Sequence, residues 1–317
     1  MTERSMILVV GGSGQIGHEL VRELSAFGTV TAPKRRELDL TSLDSTREAV
    51  RRMRPTIVVN AAAYTMVDRA ESEPELCARV NAESPALLAA ECQRLGAAFL
   101  HFSTDYVFDG KKGTPYVETD PPMPLGVYGR TKRDGEDAVA AVGGAFIILR
   151  TAWIYGSRGR NFPATVMQLA REREELAVVN DQVGAPTSAA AVAAGVAQVL
   201  RVLGRERDLR DAVERASGVY HMTASGSTTW YDFARRILAD DPRAIEHVCR
   251  VVRPISSEEY PRPARRPAYS VLDNTKIATR FGVTLPSWTD QWRAMVEQLR
   301  LSSRSTFAPR AESRPSL

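Results

Sequence analysis

Cysteine is scarce in this chain, with three in 317 residues at positions 77, 92 and 249. Three irregularly spaced thiols make neither a disulfide framework nor a thiolate metal site, so free cysteines in a reducing compartment are expected and no metal site is predicted. Charge of either sign is not in large excess. Lys plus Arg is 42 against 38 for Asp plus Glu, a net +4. The pI near 9.0 therefore reflects a small surplus spread along the chain, which argues against nucleic acid as a partner. Long apolar runs are missing too. Nothing approaches the roughly 20 residues that cross a bilayer, and the opening MTERSMILVVGGSG passes from a few polar residues straight into a short apolar strand, unlike a secretory signal. These absences point to a soluble cytoplasmic protein with no membrane partner, long enough to bury a substantial core.

The first half alternates β-rich runs with helical ones, as parallel βαβ units do. MILVV (6–10), TIVVN (56–60), AAFLHFS (97–103) and AFIILR (145–150) are apolar almost without interruption, which fits strands covered on both faces. Helical patterns run over 15–27, 43–53 and 76–96, with Pro85 expected to bend or interrupt the last. The fold class is α/β: a Rossmann-type doubly wound parallel sheet with a smaller, interleaved C-terminal substrate-binding region. Residues 1–153 supply mainly the dinucleotide-binding part and 154–301 mainly the substrate-binding part. In the latter, helices are expected over 161–173, 188–203, 229–239 and 288–300. The proline-rich stretch RPISSEEYPRPARRPAYS reads as a surface loop, and 302–317 as a disordered tail.

VVGGSGQIG places Gly11, Gly14 and Gly17 between a strand and a helix. Glycine allows the tight turn and the close approach of backbone to a pyrophosphate, which the helix N-terminus then receives with unpaired N–H groups and partial positive charge. A plain tight turn is the alternative. An NAD-binding unit usually carries an acid at the end of its second strand. Here TVTAPKRRELDL offers Lys34, Arg35 and Arg36 instead, cations suited to a 2′-phosphate, so NADPH is the expected cofactor with NADH as the alternative.

Further along, VVNAAAYT ends a strand in small residues that admit a nicotinamide ribose, and FSTDYVFDG puts Ser103, Thr104 and Asp105 at a strand's carboxyl end. GVYGRTKRDGE then sets Tyr128 one helical turn before Lys132. Taken alone, that spacing describes a solvated surface pair as well as a catalytic one. Together the groups suit hydride transfer to a carbonyl, in which charge grows on oxygen and a proton must be supplied. A tyrosine has an ordinary pKa of about 10, and a lysine ammonium nearby lowers it by favouring the phenolate. The same lysine can bond the nicotinamide ribose, and Thr104 can donate to the substrate oxygen or the tyrosine.

With these motifs in hand, the chain resembles the dTDP-4-dehydrorhamnose reductases, extended members of the short-chain dehydrogenase/reductase superfamily, in which the GxxGxxG spacing is typical. The resemblance covers most of residues 6–300 and rests on GGSGQIG, NAAAYTMVDRAESEPELCARVNA, FSTDYVFDG, PLGVYGRTKRDGE, LRTAWIYG, VVNDQVGAPTSA and TTWYDFARRI. It implies Tyr128 as proton donor to a C4 carbonyl, Lys132 as ribose ligand that lowers the tyrosine pKa, and Thr104 as tuner. Gly14, Gln15, Ile16, Asp39, Leu40, Ala63, Tyr64 and Thr65 then match cofactor-contacting positions, and Thr104, Asp105 and Trp153 match positions that hold a dTDP-sugar. Read from the residues alone, Trp153 is equally a core aromatic. Some family members form dimers bridged by a metal through glutamates. Glu19 matches one such position, but Ala190 stands where another glutamate would be, so that site is not predicted and a homodimer stays an open alternative.

Two other readings compete. A non-catalytic, cofactor-binding regulatory subunit of the same fold would tolerate loss of the tyrosine or lysine, and both are present. A nucleotide-sugar dehydratase needs Thr-Asp-Glu where this chain has Thr104-Asp105-Tyr106, and an epimerase lacks the long-range matches.

Overall fold

The apolar runs become strands because both faces of each are covered by helices. The structure, a computed structural model, describes residues 5–305, with side chains through Leu301. In chain order the first half holds β1 (Ser5–Val10), α1 (Gln15–Leu24), β2 (Gly28–Thr31), α2 (Leu43–Met53), β3 (Ile57–Asn60), α3 (Val67–Ala70), α4 (Pro74–Ala78), α5 (Ser84–Leu95), β4 (Ala98–Thr104), α6 (Val127–Val142) and β5 (Phe146–Thr151). The second half adds β6 (Ile154–Tyr155), α7 (Phe162–Glu172), β7 (Glu175–Val179), β8 (Val183–Gly184), β9 (Thr187–Ser188), α8 (Ala189–Leu203), α9 (Leu209–Arg215), β10 (Gly218–His221), β11 (Thr228–Thr229), α10 (Trp230–Asp240), β12 (Val251–Ile255), α11 (Thr275–Phe281) and α12 (Trp288–Ser305).

Six strands form one parallel sheet in the order β10-β5-β4-β3-β1-β2. The order reverses between β1 and β3, and the carboxyl ends there open the crevice where sheets of this kind bind ligands. One face packs Ile7, Val9, Leu100 and Leu149 against Leu20 of α1 and Val192, Val196 and Leu200 of α8. The other packs Leu8, Val58, Phe99 and Ile148 against Val50, Leu88 and Val139 of α2, α5 and α6. Each fully buried side chain of this size contributes about 1.5–3 kcal/mol of transfer free energy. The interleaving expected from sequence is visible: β10 and α8, from the second half, complete the first sheet and its cover. A separate cluster of Tyr155, Val166, Phe233, Ile237, Trp292 and Met295 supports the remaining second-half elements.

One sequence expectation is met in detail here and two are corrected. The helical run over 76–96 is interrupted beside Pro85, as expected: α4 and α5 flank a π-helical turn, Arg79–Glu83. Pro85 sits in the first turn of α5, where it needs no N–H bond of its own, and its ring disfavours a normal turn before it. The proline-rich loop is partly a strand. Val251–Ile255 pairs in parallel with β7 alone, and Pro254 is tolerated because β12 has a free edge. Residues 302–305, read as tail, continue α12; residues 306–317 lie outside the described residues. No helix among the described residues is long and apolar enough to cross a membrane.

Candidate functional site

The glycine loop closes on itself before any ligand is considered. Gly11 takes a left-handed φ of +82°, and a Cβ on Gly17 would lie 2.1 Å from the Gly11 carbonyl oxygen, so α1 can begin only where glycine occupies both positions. Gly14 caps α1 without a side-chain acceptor, and the first turn holds no acid. The N–H groups of that turn are left for an anion.

Two adjoining clefts follow the carboxyl edge of the sheet. The first, about 470 Å³, is lined by Gly11, Arg35, Asp39, Leu40, Tyr64 and the shared pair Ala63 and Thr65. The second, about 460 Å³, carries Gln15, Ile16, Thr104, Asp105, Tyr128, Lys132 and Trp153 beside that same pair. The structure thus gathers most of the residues singled out in the sequence. Four stand apart: Gly14 and Gly17 shape the loop without lining either cleft, and Lys34 and Arg36 are exposed outside both, the Lys34 backbone N–H bonded to Glu37 at 2.8 Å. Arg35, which lines the first cleft, lies 3.4 Å from Asp39; desolvation raises the Asp39 carboxyl, but bonds from Thr41 and then the Arg35 cation hold it below its usual range.

Tyr128 and Lys132 sit in the first turns of α6, whose N-terminal N–H at Val127 is capped by the Glu71 carboxylate at 2.8 Å. Spacing of four turns both side chains toward β4. Lys132 is buried, its ammonium donating to the Phe102 carbonyl at 2.6 Å. Burial lowers its pKa to about 8, while Glu136 and Cys77 act in the opposite direction. Burial raises the Tyr128 phenol well above its ordinary value, with Thr104 opposing and Asp105 reinforcing the shift. At neutral pH the tyrosine therefore holds its proton.

Thr104 opposes the rise of the Tyr128 pKa and also bonds its own neighbours. Its hydroxyl donates to Asp105 Oδ1 at 3.0 Å and accepts from the Tyr106 N–H at 3.2 Å, so in this state its proton is already committed. Asp105 is raised by burial to about 6, with Ser270 and Thr104 offsetting part of the cost, and its Oδ2 is buried without a hydrogen-bond partner. Ser103 and Thr151 likewise present buried hydroxyls without partners.

Trp153 is half-buried and is not a core residue. Its backbone is left-handed at φ 48°, a conformation that costs a non-glycine residue roughly 1–3 kcal/mol. Its ring stacks on Trp230 with centroids 3.5 Å apart and planes 5° from parallel. A Cβ at Gly184 would lie 2.3 Å from the Trp153 ring, so this glycine makes room for the stack.

Against this geometry, the comparisons with known proteins agree. The family model described as the RmlD substrate binding domain matches residues 5–301. A dTDP-4-dehydrorhamnose reductase from Burkholderia thailandensis is 47% identical over 89% of this chain and 95% of its own length. The one from Escherichia coli K12 is 41% identical over 92% and 97%. The crystal structure of the Bacillus anthracis reductase in complex with NADP superposes with a TM-score of 0.82 at 31% identity, covering 94% of this chain and 99% of that one. The chain belongs to the dTDP-4-dehydrorhamnose reductase family.

Several features of this reductase were not singled out from sequence. Trp230, which forms one wall of the second cleft, lay inside TTWYDFARRI; the Thr229 cap of α10 places it there, bonded to the Asp232 N–H at 3.1 Å. Beyond Trp230 opens a third cavity of about 420 Å³, flanked by Phe162, Gln182, Arg262 and Arg266. Asp68 holds both arginines, at 2.6 and 3.0 Å, and its carboxyl is driven down to about 2 by them despite desolvation. Tyr106, standing where a dehydratase has its glutamate, packs edge-on against Tyr128 with centroids 5.5 Å apart.

Proposed function

We propose that this chain reduces the C4 ketone of a dTDP-4-dehydro-6-deoxy sugar, dTDP-4-dehydrorhamnose giving dTDP-L-rhamnose, with NADPH as reductant. The observation that carries this reading is the placing of half-buried Tyr128 and buried Lys132 on one cleft, between a dinucleotide-binding loop and a cavity bordered by arginines. The residues fit the cofactor: the uncapped start of α1 and the Gly11–Gly17 contact leave space and donors for a pyrophosphate. Asp39 and Leu40 would border the adenosine end, Arg35 a 2′-phosphate, and Ala63, Thr65 and Lys132 the nicotinamide ribose. When bound, the reduced nicotinamide supplies hydride to the carbonyl carbon.

The protein's own groups then manage charge. Tyr128, kept as the phenol by burial, donates its proton to the oxygen as negative charge grows there. The phenolate left behind is stabilised by the Lys132 ammonium, released from the Phe102 carbonyl. Asp105 Oδ2, unsatisfied in the ligand-free site, would accept a sugar hydroxyl, and this gain is realised only with substrate bound. The Trp153–Trp230 stack excludes water from one side of the sugar. Arg262 and Arg266, oriented by Asp68, lie where the diphosphate of a nucleotide-sugar would reach past Trp230. Every group invoked comes from one chain, so a homodimer is not required. The free Cys77, Cys92 and Cys249 suit a reducing cytoplasm.

The test is to mix the purified protein with NADPH and enzymatically prepared dTDP-4-dehydrorhamnose and follow loss of reduced-nicotinamide absorbance. Consumption that depends on the sugar supports the reading. Tight NADPH binding without consumption would favour a regulatory subunit instead.

A further inference from the structure

The buried polar chain behind Lys132 has a direction, and that direction is set by a backbone amide. The Ala62 N–H can only donate, and it donates to Asn60 Oδ1 at 3.1 Å. The other end of the Asn60 amide is therefore its NH2 group, which faces His101 Nδ1 at 3.1 Å. His101 Nδ1 must accept, so the proton of the neutral ring resides on Nε2. That nitrogen lies 3.3 Å from Lys132 Nζ. An ammonium has no lone pair to receive an N–H, whereas a neutral amine can accept from His101 and still donate to the Phe102 carbonyl.

We propose that Asn60 and His101 form a positioning pair that makes the Lys132 ammonium easier to deprotonate before the cofactor arrives. Asn60, His101 and Lys132 are buried and Ala62 is half-buried, and the Ala62 amide has only its N–H to offer, so the polarity runs one way. His101 itself is kept neutral by burial and by the neighbouring Lys132. The other titratable groups around the lysine are Tyr128 and Glu136 on α6 and Cys77 on α4. Burial raises both the Tyr128 phenol and the Cys77 thiol, so neither supplies an anion near neutrality. The Glu136 carboxylate is already engaged by Arg150 of β5 at 2.6 Å, and Arg150 in turn lies 3.5 Å from His221 of β10. An amine in place of an ammonium leaves Tyr128 without its stabilising cation. The lysine holds its proton less firmly, and supports a phenolate less well, until ribose hydroxyls draw it away from His101. The pair would thus tie activation of the tyrosine to the arrival of the cofactor.

This inference rests on the reading of Lys132 as the group that tunes Tyr128, but its test does not use turnover, so the two can fail separately. Ring 15N NMR of the ligand-free protein should show His101 with a bare Nδ1 and a protonated Nε2. A 13Cε titration of Lys132 should have its midpoint near the lowered value of about 8. Asn60→Asp presents His101 Nδ1 with an acceptor and moves the proton there. Nε2 then accepts from the ammonium, and the Lys132 midpoint rises by about one unit or more. A wild-type Nδ1–H tautomer, a tautomer unmoved by Asn60→Asp, or a tautomer change with an unmoved lysine would each overturn the proposal. If that variant does not fold, the wild-type tautomer alone decides.

Discussion

Replacing Asp105 by Asn should make the ligand-free protein more stable and the enzyme worse. The carboxyl is raised by burial from 3.8 to about 6, a displacement of roughly two units, equivalent to about 3 kcal/mol. Because the folded-state value lies above the unfolded one, the folded protein binds more protons between those two pH values. Stability therefore falls as pH rises through that window, and above about pH 6 the full cost of the buried charge is present. Asparagine removes the charge, and its Oδ1 can still accept from Thr104. Its NH2 would replace the unpartnered Oδ2 and lack an acceptor, which returns about 1 kcal/mol. The expected gain is about 2 kcal/mol near neutral pH, shrinking toward zero or below as pH falls through the carboxyl's folded-state value. Urea midpoints at neutral and mildly acidic pH, with unchanged slopes, measure it. The same substitution removes a charged acceptor for a sugar hydroxyl, so kcat/KM should fall about 10- to 100-fold. A neutral-pH midpoint below wild type, or a gain of equal size at both pH values, would refute the desolvation argument.

Tyr128→Phe should lower kcat by about 10²- to 10⁴-fold while NADPH affinity stays near wild type by fluorescence titration. Arg35→Ala should weaken NADPH about tenfold and leave NADH affinity unchanged, since its cation can meet only a 2′-phosphate. Trp230→Ala removes the partner of Trp153 and should raise the substrate KM with little effect on NADPH binding, as measured by steady-state kinetics. Glu136→Gln leaves the Arg150 guanidinium buried with one charge uncompensated and should destabilise the fold by about 3–5 kcal/mol in urea unfolding.

What could be read from the sequence follows from how local each signal is. Strands β1, β3, β4 and β5 were legible because burial on both faces leaves no polar alternation to confuse them. Tyr128 and Lys132 were legible because one helical turn sets their relation, whatever the rest of the fold does. Trp153 was not decidable from its neighbours. Its role depends on a positive φ, on space at Gly184 and on a stack with Trp230, all properties of tertiary packing. His101 was hidden inside AAFLHFS, where it reads as one more strand residue; only the path from Ala62 through Asn60 to Lys132 gives its ring a direction. Lys34 and Arg35 look equivalent in the sequence and both are exposed, yet the turn after β2 brings only Arg35 to the edge of the cleft. Pro254 marked a break on composition grounds, but a strand with one free edge can accommodate it.

The most direct measurement follows the hydrogen itself. Reduction of dTDP-4-dehydrorhamnose with NADPH deuterated at the reactive nicotinamide carbon should place one deuterium at C4 of the sugar, and Tyr128→Phe should slow that transfer without redirecting it. A product without deuterium at C4, or wild-type transfer in the Tyr128→Phe protein, would contradict the account.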